Sequence, residues 1–106
     1  MRVWLYARLS NDDDREMNSL LNQREICQTF AEQHGYIIVG QSFDDNISGM
    51  SFDRRGLDEL TAAVDADMID AVIVKDLSRL GRHRTQTALF IDYLREHHVR
   101  VISATE

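Results

Sequence analysis

The chain has 106 residues, which is enough for one compact domain and too few for two. Its composition, 43% hydrophobic and 28% charged, is that of a globular protein and excludes an intrinsically disordered chain. The net charge of -6 excludes general, sequence-independent attraction to nucleic acid or to an anionic membrane. Any affinity for DNA must therefore come from a local basic cluster or from a region outside these residues.

Cysteine content and the N-terminal sequence indicate a cytoplasmic protein. Cys27 is the only cysteine, which excludes an internal disulfide and a cysteine-based metal site. The first residues lack the pattern of a signal peptide, and no apolar run approaches the roughly 18 residues of a membrane span.

The opening stretch Met1–Ser10 is apolar, rich in β-branched and aromatic residues, and polar at its end. This pattern predicts a buried first strand, with faces formed by Val3, Leu5 and Ala7 and by Trp4 and Tyr6. Such a strand delivers Arg8 and Ser10 to the carboxyl edge of the sheet, where open α/β sheets bind ligands. Ser10 is the candidate nucleophile, and a plain polar strand end is the alternative.

The polar stretch Asn11–Asn18 predicts a solvated loop. Its three adjacent aspartates also fit a metal site, but consecutive loop residues do not converge as ligands without support. A helix is predicted from the N-cap Ser19 to Gly35, with an apolar face of Leu20, Cys27, Phe30 and Ala31. Gln23 lies near the start of this helix, which faces the same crevice as Ser10 if the helix packs beside the first strand.

A second strand is predicted over Tyr36–Phe43, followed by a loop over Asp44–Gly49. The next helix has Asp53 as its predicted N-cap, so Arg54 and Arg55 lie at its N-terminus. Cations are unfavourable there by a few tenths to about 1 kcal/mol unless an anion binds nearby. Arg54 is therefore a candidate phosphate-binding residue, although an exposed arginine at this position needs no ligand.

A basic cluster follows the third predicted strand, Ala71–Val74, whose apolar run is typical of a strand buried on both faces. The segment Lys75–Arg84 carries four lysine and arginine residues in an acidic chain, which predicts a phosphate site. Arg79 and Arg82 lie three residues apart, so on a helical turn they would clamp one phosphate. A solvated basic face is the alternative.

A helix over about Thr85–His98 and a strand over Val99–Ala104 complete the pattern. Core contacts of this helix are predicted for Phe90, Tyr93, Leu94 and His97. The order β-α-β-α-β-α-β predicts an α/β fold of three layers, a mostly parallel central sheet with helices on both faces. The residues at strand ends or helix starts are Arg8, Ser10, Gln23, Arg54, Arg79 and Arg82. A hydroxyl among arginines predicts a serine that attacks a phosphodiester.

These residues resemble the catalytic domain of the serine recombinases, the family of resolvases, invertases and large transposon or phage integrases. The resemblance covers essentially the whole chain. It rests on YARLS (Tyr6–Ser10), Gln23, DNISG (Asp45–Gly49), DRRGLDEL (Asp53–Leu60) and VKDLSRLGR (Val74–Arg82). The long gap between Ser10 and Gln23 resembles the large, transposon-associated members. The resemblance implies a resolvase-like catalytic domain over 1–106, with a dimerisation helix and a DNA-binding region expected outside it.

The resemblance also implies a mechanism. Ser10 would attack the scissile phosphate of DNA to give a 5′-phosphoserine intermediate, followed by strand exchange and religation. The supporting residues that it implies are Arg8, Arg79, Arg82, Arg54 and Gln23. No metal or other cofactor is implied. The implied partners are double-stranded DNA recombination sites, with a homodimer and a synaptic homotetramer of the full-length protein. Ser78 stands where the family often has aspartate.

Two other interpretations remain open from the sequence. A flavodoxin-like or receiver-like regulatory domain has the same doubly wound topology and would tolerate substitution of Arg79. A non-catalytic module that binds phosphate or nucleic acid would keep its full function in a Ser10→Ala variant. We expect the 106 residues alone to fold but to be inactive.

Overall fold

Four parallel strands form the centre of the molecule. The computed structural model describes residues 1–10, 13–14, 16–46, 54–81 and 83–106. The strands are β1 (Arg2–Ser10), β2 (Ile37–Asn46), β3 (Ala71–Val74) and β4 (Arg100–Ser103). They lie in the order β2-β1-β3-β4, and all three pairs between described strands are parallel. The predicted parallel sheet is therefore confirmed.

Among the described residues, three α-helices cover the two faces of the sheet: α1 (Leu20–Gln33), α2 (Arg55–Asp65) and α3 (Arg84–Glu96). One core cluster joins α1 to its face of the sheet, through Val3, Leu5, Cys27, Ala31, Ala71 and Ile73. The other cluster joins α2 and α3 to the opposite face, through Tyr6, Leu60, Val64, Val72, Val74, Leu80 and Leu94 among others. The three-layer prediction and the two-residue alternation of β1 are thus both confirmed. In the part of the chain that the structure describes, each helix is too short or too polar to cross a membrane.

Both ends of α1 form as predicted. The Ser19 hydroxyl accepts a hydrogen bond from the Asn22 amide at 3.0 Å, which satisfies one of the donors left open at a helix start. Gly35 follows the helix with φ of 70°, a left-handed conformation that glycine adopts without steric cost.

Other predicted boundaries were wrong. Strand β2 continues to Asn46, because Asp44 and Asn46 are buried and pair with the end of β1 rather than opening a loop. Strand β4 is shorter than predicted. His97 is the exposed C-cap of α3 and not a core contact, whereas Leu94 is fully buried. The predicted N-cap Asp53 lies outside the described residues.

Candidate active site at the carboxyl edge of the sheet

The order of the strands places a crevice between the carboxyl ends of β1 and β3. The chain leaves β1 toward β2 on one side and leaves β3 toward β4 on the other, so the direction of winding reverses between these neighbours. Open α/β sheets bind ligands at such a switch point. The segment after β1 and a 3₁₀ turn after β3 (Leu77–Leu80) meet here and bring together Arg8, Ser10, Gln23 and Arg79.

Ser10 is held by a carboxylate three residues further along the chain. Its hydroxyl donates to Asp13 Oδ2 at 3.1 Å, and its backbone amide donates to the same oxygen at 2.8 Å. The Asp13 amide in turn donates to the Ser10 carbonyl at 3.2 Å. The candidate nucleophile therefore has a fixed position at the end of β1.

Arg79 lies in the 3₁₀ turn and is 5% exposed. Its Nη1 donates to Asp13 Oδ2 at 2.8 Å and to the Arg8 carbonyl at 2.7 Å. Its Nη2 donates to Asp13 Oδ1 at 2.9 Å, and its Nε donates to Asp76 at 3.4 Å. The guanidinium and the carboxylate of Asp13 thus form a bidentate ion pair, the strongest geometry for these two groups.

This ion pair fixes the charge of both partners. Partial burial opposes ionisation of Asp13, but hydrogen bonds from Arg79 and Ser10 outweigh it and hold the pKa of Asp13 below its ordinary value. Burial likewise opposes the charge of Arg79, but Asp13 and Asp76 outweigh it and raise the pKa of Arg79. The site therefore contains a permanently charged guanidinium beside the Ser10 hydroxyl.

Arg8 connects β1 to the segment that follows β3. It is largely buried, and its Nη2 donates to the carbonyls of Ser78 and Gly81, at 2.5 and 3.0 Å. Ser78 thus contributes a backbone carbonyl here, and its own hydroxyl and amide donate to Asp76. A neighbouring carboxylate, Asp76, therefore lies close to the position where the resemblance placed an aspartate.

Gln23 fixes the start of α1 to the end of β1. Its side chain is fully buried, and its amide pairs with the backbone of Arg8 as a neighbouring strand would. Nε2 donates to the Arg8 carbonyl at 2.8 Å and to the Asn18 carbonyl at 2.7 Å, while Oε1 accepts from the Arg8 amide at 3.3 Å. Gln23 is thus placed to hold the strand that carries the site.

Arg54 occupies the N-cap position of α2 and is exposed. The anion at this helix N-terminus is the protein's own Asp44, whose carboxylate accepts from the amides of Gly56 and Leu57 at 2.7 and 2.9 Å. The two arginines near this terminus therefore do not by themselves require a bound phosphate. The position of Arg54 at a helix N-terminus is thus no longer evidence that it binds one. Arg54 and Arg8 both line a cavity of about 340 Å³ at this edge.

The basic residues of the cluster after β3 contact different parts of the molecule. Lys75 donates to the Met17 carbonyl at 2.9 Å and to Asn18 Oδ1 at 2.6 Å, so it ties the segment before α1 to β3. Arg79 pairs with Asp13 as described. Arg82 lies outside the described residues, so the predicted clamp of Arg79 and Arg82 remains a prediction.

Two acidic residues at this site were not predicted from the sequence. The sequence pattern predicts a solvated loop at Asp13 and the start of a loop at Asp44, yet each carboxylate binds groups from other elements. The available signal for Asp13 was indirect: an arginine buried after β3 needs a counter-charge. Across the described ranges, no group of three or more histidine, cysteine, aspartate or glutamate side chains is arranged to hold a metal ion.

Comparison with known proteins identifies the family. Residues 3–106 match the family model described as "Resolvase, N terminal domain". The Tn3 transposon resolvase of Escherichia coli is 34% identical over 96 residues, which cover 91% of this chain and 44% of the resolvase. The chain thus spans less than half the length of that relative.

Solved structures agree with this match. A resolvase family site-specific recombinase from Streptococcus pneumoniae superposes with a TM-score of 0.83 at 27% identity, over 98% of this chain and 72% of that one. The catalytic domain of ISC1926 TnpA, an IS607-like serine recombinase, superposes with a TM-score of 0.80 at 26% identity, over 98% of this chain and 67% of that one. Since the family model spans nearly every residue, the chain belongs to the resolvase N-terminal domain family of serine recombinase catalytic domains.

Proposed function

We propose that this chain is the catalytic domain of a site-specific DNA recombinase in which Ser10 is the nucleophile. The observation that carries the proposal is that the Ser10 hydroxyl and the Arg79 guanidinium meet at one anionic oxygen, Asp13 Oδ2. A nucleophile and a cation that both contact one anionic group are spaced to act together on one phosphate. Their position at the switch point of the sheet supports the same assignment.

The proposed reaction exchanges one phosphodiester bond for another. Ser10 Oγ forms a bond to phosphorus while the bond from phosphorus to the 3′ oxygen breaks, which leaves a 5′-phosphoserine and a free 3′ hydroxyl. The proton lost by Ser10 is balanced by the proton gained by the 3′ oxygen. Religation is the reverse reaction, with the 3′ hydroxyl of the exchanged strand as the attacking group.

The arginines supply the charge that this reaction needs. Preorganised donors aimed at developing charge are the largest contribution to most such reactions, and guanidinium groups match phosphate oxygens bidentately. Arg8 and Arg79 lie beside Ser10, and Arg54 lies at the rim of the same edge. We assign Arg82 to the phosphate with them. Gln23 is a positioning residue, because it contacts the backbone of the strand that bears Ser10.

The proposed substrate is a pair of double-stranded DNA recombination sites, bound by the full-length protein as homodimers that assemble into a synaptic homotetramer. The net charge of this chain is -6, so most of the attraction to DNA must come from elsewhere in that protein. The cytoplasm, where the DNA of a bacterial transposon lies, is the proposed compartment.

The test uses the full gene product that contains these residues. A DNA site is first selected by binding from a pool of random duplexes, and cleavage is then compared between variants. Ser10→Ala is expected to abolish cleavage and retain binding. Ser103→Ala, which removes a hydroxyl at the end of β4, is the control and is expected to retain both. Cleavage that survives Ser10→Ala would overturn the assignment, and full function of that variant would support the non-catalytic module.

A further inference from the structure

We infer that Asp13 is an internal occupant of the phosphate site, and that its carboxylate must leave Arg79 and Ser10 before a phosphodiester can bind there. This inference rests on the proposed function, because the group that displaces Asp13 is taken to be the scissile phosphate. It concerns a residue that the mechanism above does not use. Asp13 is thus a positioning residue that keeps the unloaded site closed.

Arg79 has too few free N–H donors to bind a phosphate bidentately while Asp13 is in place. A guanidinium carries five N–H donors. Four hydrogen bonds leave Arg79 in the described structure: two to Asp13, one to the Arg8 carbonyl and one to Asp76. A bidentate phosphate contact needs two parallel N–H donors. While Asp13 stays in place, Arg79 does not have them.

The same carboxylate also holds the nucleophile. The Ser10 hydroxyl donates to Asp13 Oδ2, the oxygen that also accepts from Arg79 Nη1. Ser10 therefore directs its O–H bond at the carboxylate that occupies the guanidinium. One movement of Asp13 frees both the nucleophile and the cation, so neither is available without the other.

The Asp13 carboxylate and a phosphodiester are similar anions. A carboxylate and the two non-bridging oxygens of a phosphodiester each carry one negative charge over two oxygens, and both pair bidentately with arginine. The Arg79 and Asp13 side chains in this pair are only 6% and 16% exposed, so a phosphate cannot bind on top of the carboxylate and must replace it. Displacement exchanges one charge-assisted pair for another.

The test measures anion binding by this chain with dimethyl phosphate, a phosphodiester of one negative charge. The chain is labelled with ¹⁵N-arginine, and dimethyl phosphate is titrated at constant ionic strength while the Arg79 Nε–H signal is followed by NMR. Asp13→Asn keeps the shape of the side chain but turns one acceptor into a donor that faces Arg79 and Ser10. We expect this variant to bind dimethyl phosphate at least tenfold more tightly than the unmodified chain.

The matched control is Asp14→Asn. It removes the same charge one residue away, where the carboxylate is exposed and accepts from the backbone amides of Glu16 and Met17. We expect less than a twofold change. An equal gain in affinity for dimethyl phosphate in both variants would mean that only the net charge matters, and it would overturn the inference. An unchanged affinity in Asp13→Asn would also overturn it. The gain in affinity must also disappear in the Asp13→Asn, Arg79→Gln double variant. Since that variant has no Arg79 Nε–H, its binding is followed at the Ser10 amide of the uniformly ¹⁵N-labelled chain.

The unmodified chain gives an independent test if Asp13→Asn does not fold. The ¹³C signal of the Asp13 carboxylate and the Ser10 amide signal are expected to shift along the same binding curve as Arg79 Nε–H. Binding that shifts Arg79 and leaves the other two unchanged would overturn the inference. The outcome is separate from DNA cleavage: cleavage that depends on Ser10 without this displacement refutes only the role of Asp13, and displacement without cleavage refutes only the proposed function.

Discussion

The substitution Asp44→Ala tests whether one buried carboxylate fixes helix α2 to the sheet. Asp44 is 1% exposed and accepts from the Tyr6 hydroxyl at 2.7 Å and from two amides at the start of α2. Loss of a helix cap costs about 1 kcal/mol, and loss of a hydrogen bond to a charged group costs about 1.5–3 kcal/mol. We therefore expect the free energy of unfolding to fall by about 2–4 kcal/mol, a large part of the roughly 5–15 kcal/mol of a typical domain.

The assay is urea denaturation of this chain. The variants are compared only if the slope of the unfolding free energy against urea concentration is unchanged. Tyr6→Phe removes one of the three hydrogen bonds and is expected to cost about 1–2 kcal/mol. The Asp44→Ala, Tyr6→Phe double variant should lose about 1 kcal/mol less stability than the two single variants lose together, because both single variants remove the same hydrogen bond. Glu59→Ala, on the exposed part of α2, is the control and should stay within about 0.5 kcal/mol. A loss below about 1 kcal/mol for Asp44→Ala, or strict additivity, would show that these hydrogen bonds do not fix α2 to the sheet.

Three further predictions address other contacts. Gln23→Met keeps the volume of a fully buried side chain but removes its three hydrogen bonds, so it should cost about 2–4 kcal/mol in urea denaturation. The hydrogen bond from Arg2 lowers the pKa of Asp70 to about 2. The ionised Asp70 therefore stabilises the fold above about pH 4, and this stabilisation is lost as the pH falls towards 2. NMR titration of the Asp70 carboxyl group should give this lowered pKa, and Arg2→Ala should return it towards its ordinary value. Gly56→Ala places a Cβ 2.4 Å from a backbone oxygen of β2 and should lower the free energy of unfolding by about 1–3 kcal/mol. In Gly35→Ala the new Cβ meets no atom within 4 Å, so the expected loss of about 1 kcal/mol comes from the positive φ alone.

The layered fold was predictable because its signals are local. The alternation in β1, the fully apolar run of β3 and the cap at Ser19 each depend on residues within one element, and each formed as predicted. The order of these elements then leaves few topologies, since parallel crossovers are right-handed. The grouping of Ser10 and Gln23 at one edge followed from that topology.

The acidic partners were not predictable because their contacts join distant parts of the chain. Asp13 and Arg79 are 66 residues apart, and Asp44 accepts from the amide of Gly56, which is 12 residues further along the chain. Three adjacent aspartates are usually solvated, so the sequence pattern favoured the wrong environment for Asp13. The end of β2 was missed for the same reason: polar residues such as Asp44 resemble a loop unless their buried partners are known.

If Ser10 is the nucleophile, it becomes covalently attached to DNA during cleavage. The most direct test incubates the full gene product with its selected DNA site, mismatched at the centre so that religation is blocked, and separates the products on a denaturing gel. Peptide mass spectrometry of the trapped adduct is then expected to show a nucleotide phosphate on Ser10, with no adduct in the Ser10→Ala protein. An adduct on a different residue, or cleavage without any protein–DNA adduct, would rule out Ser10 as the nucleophile.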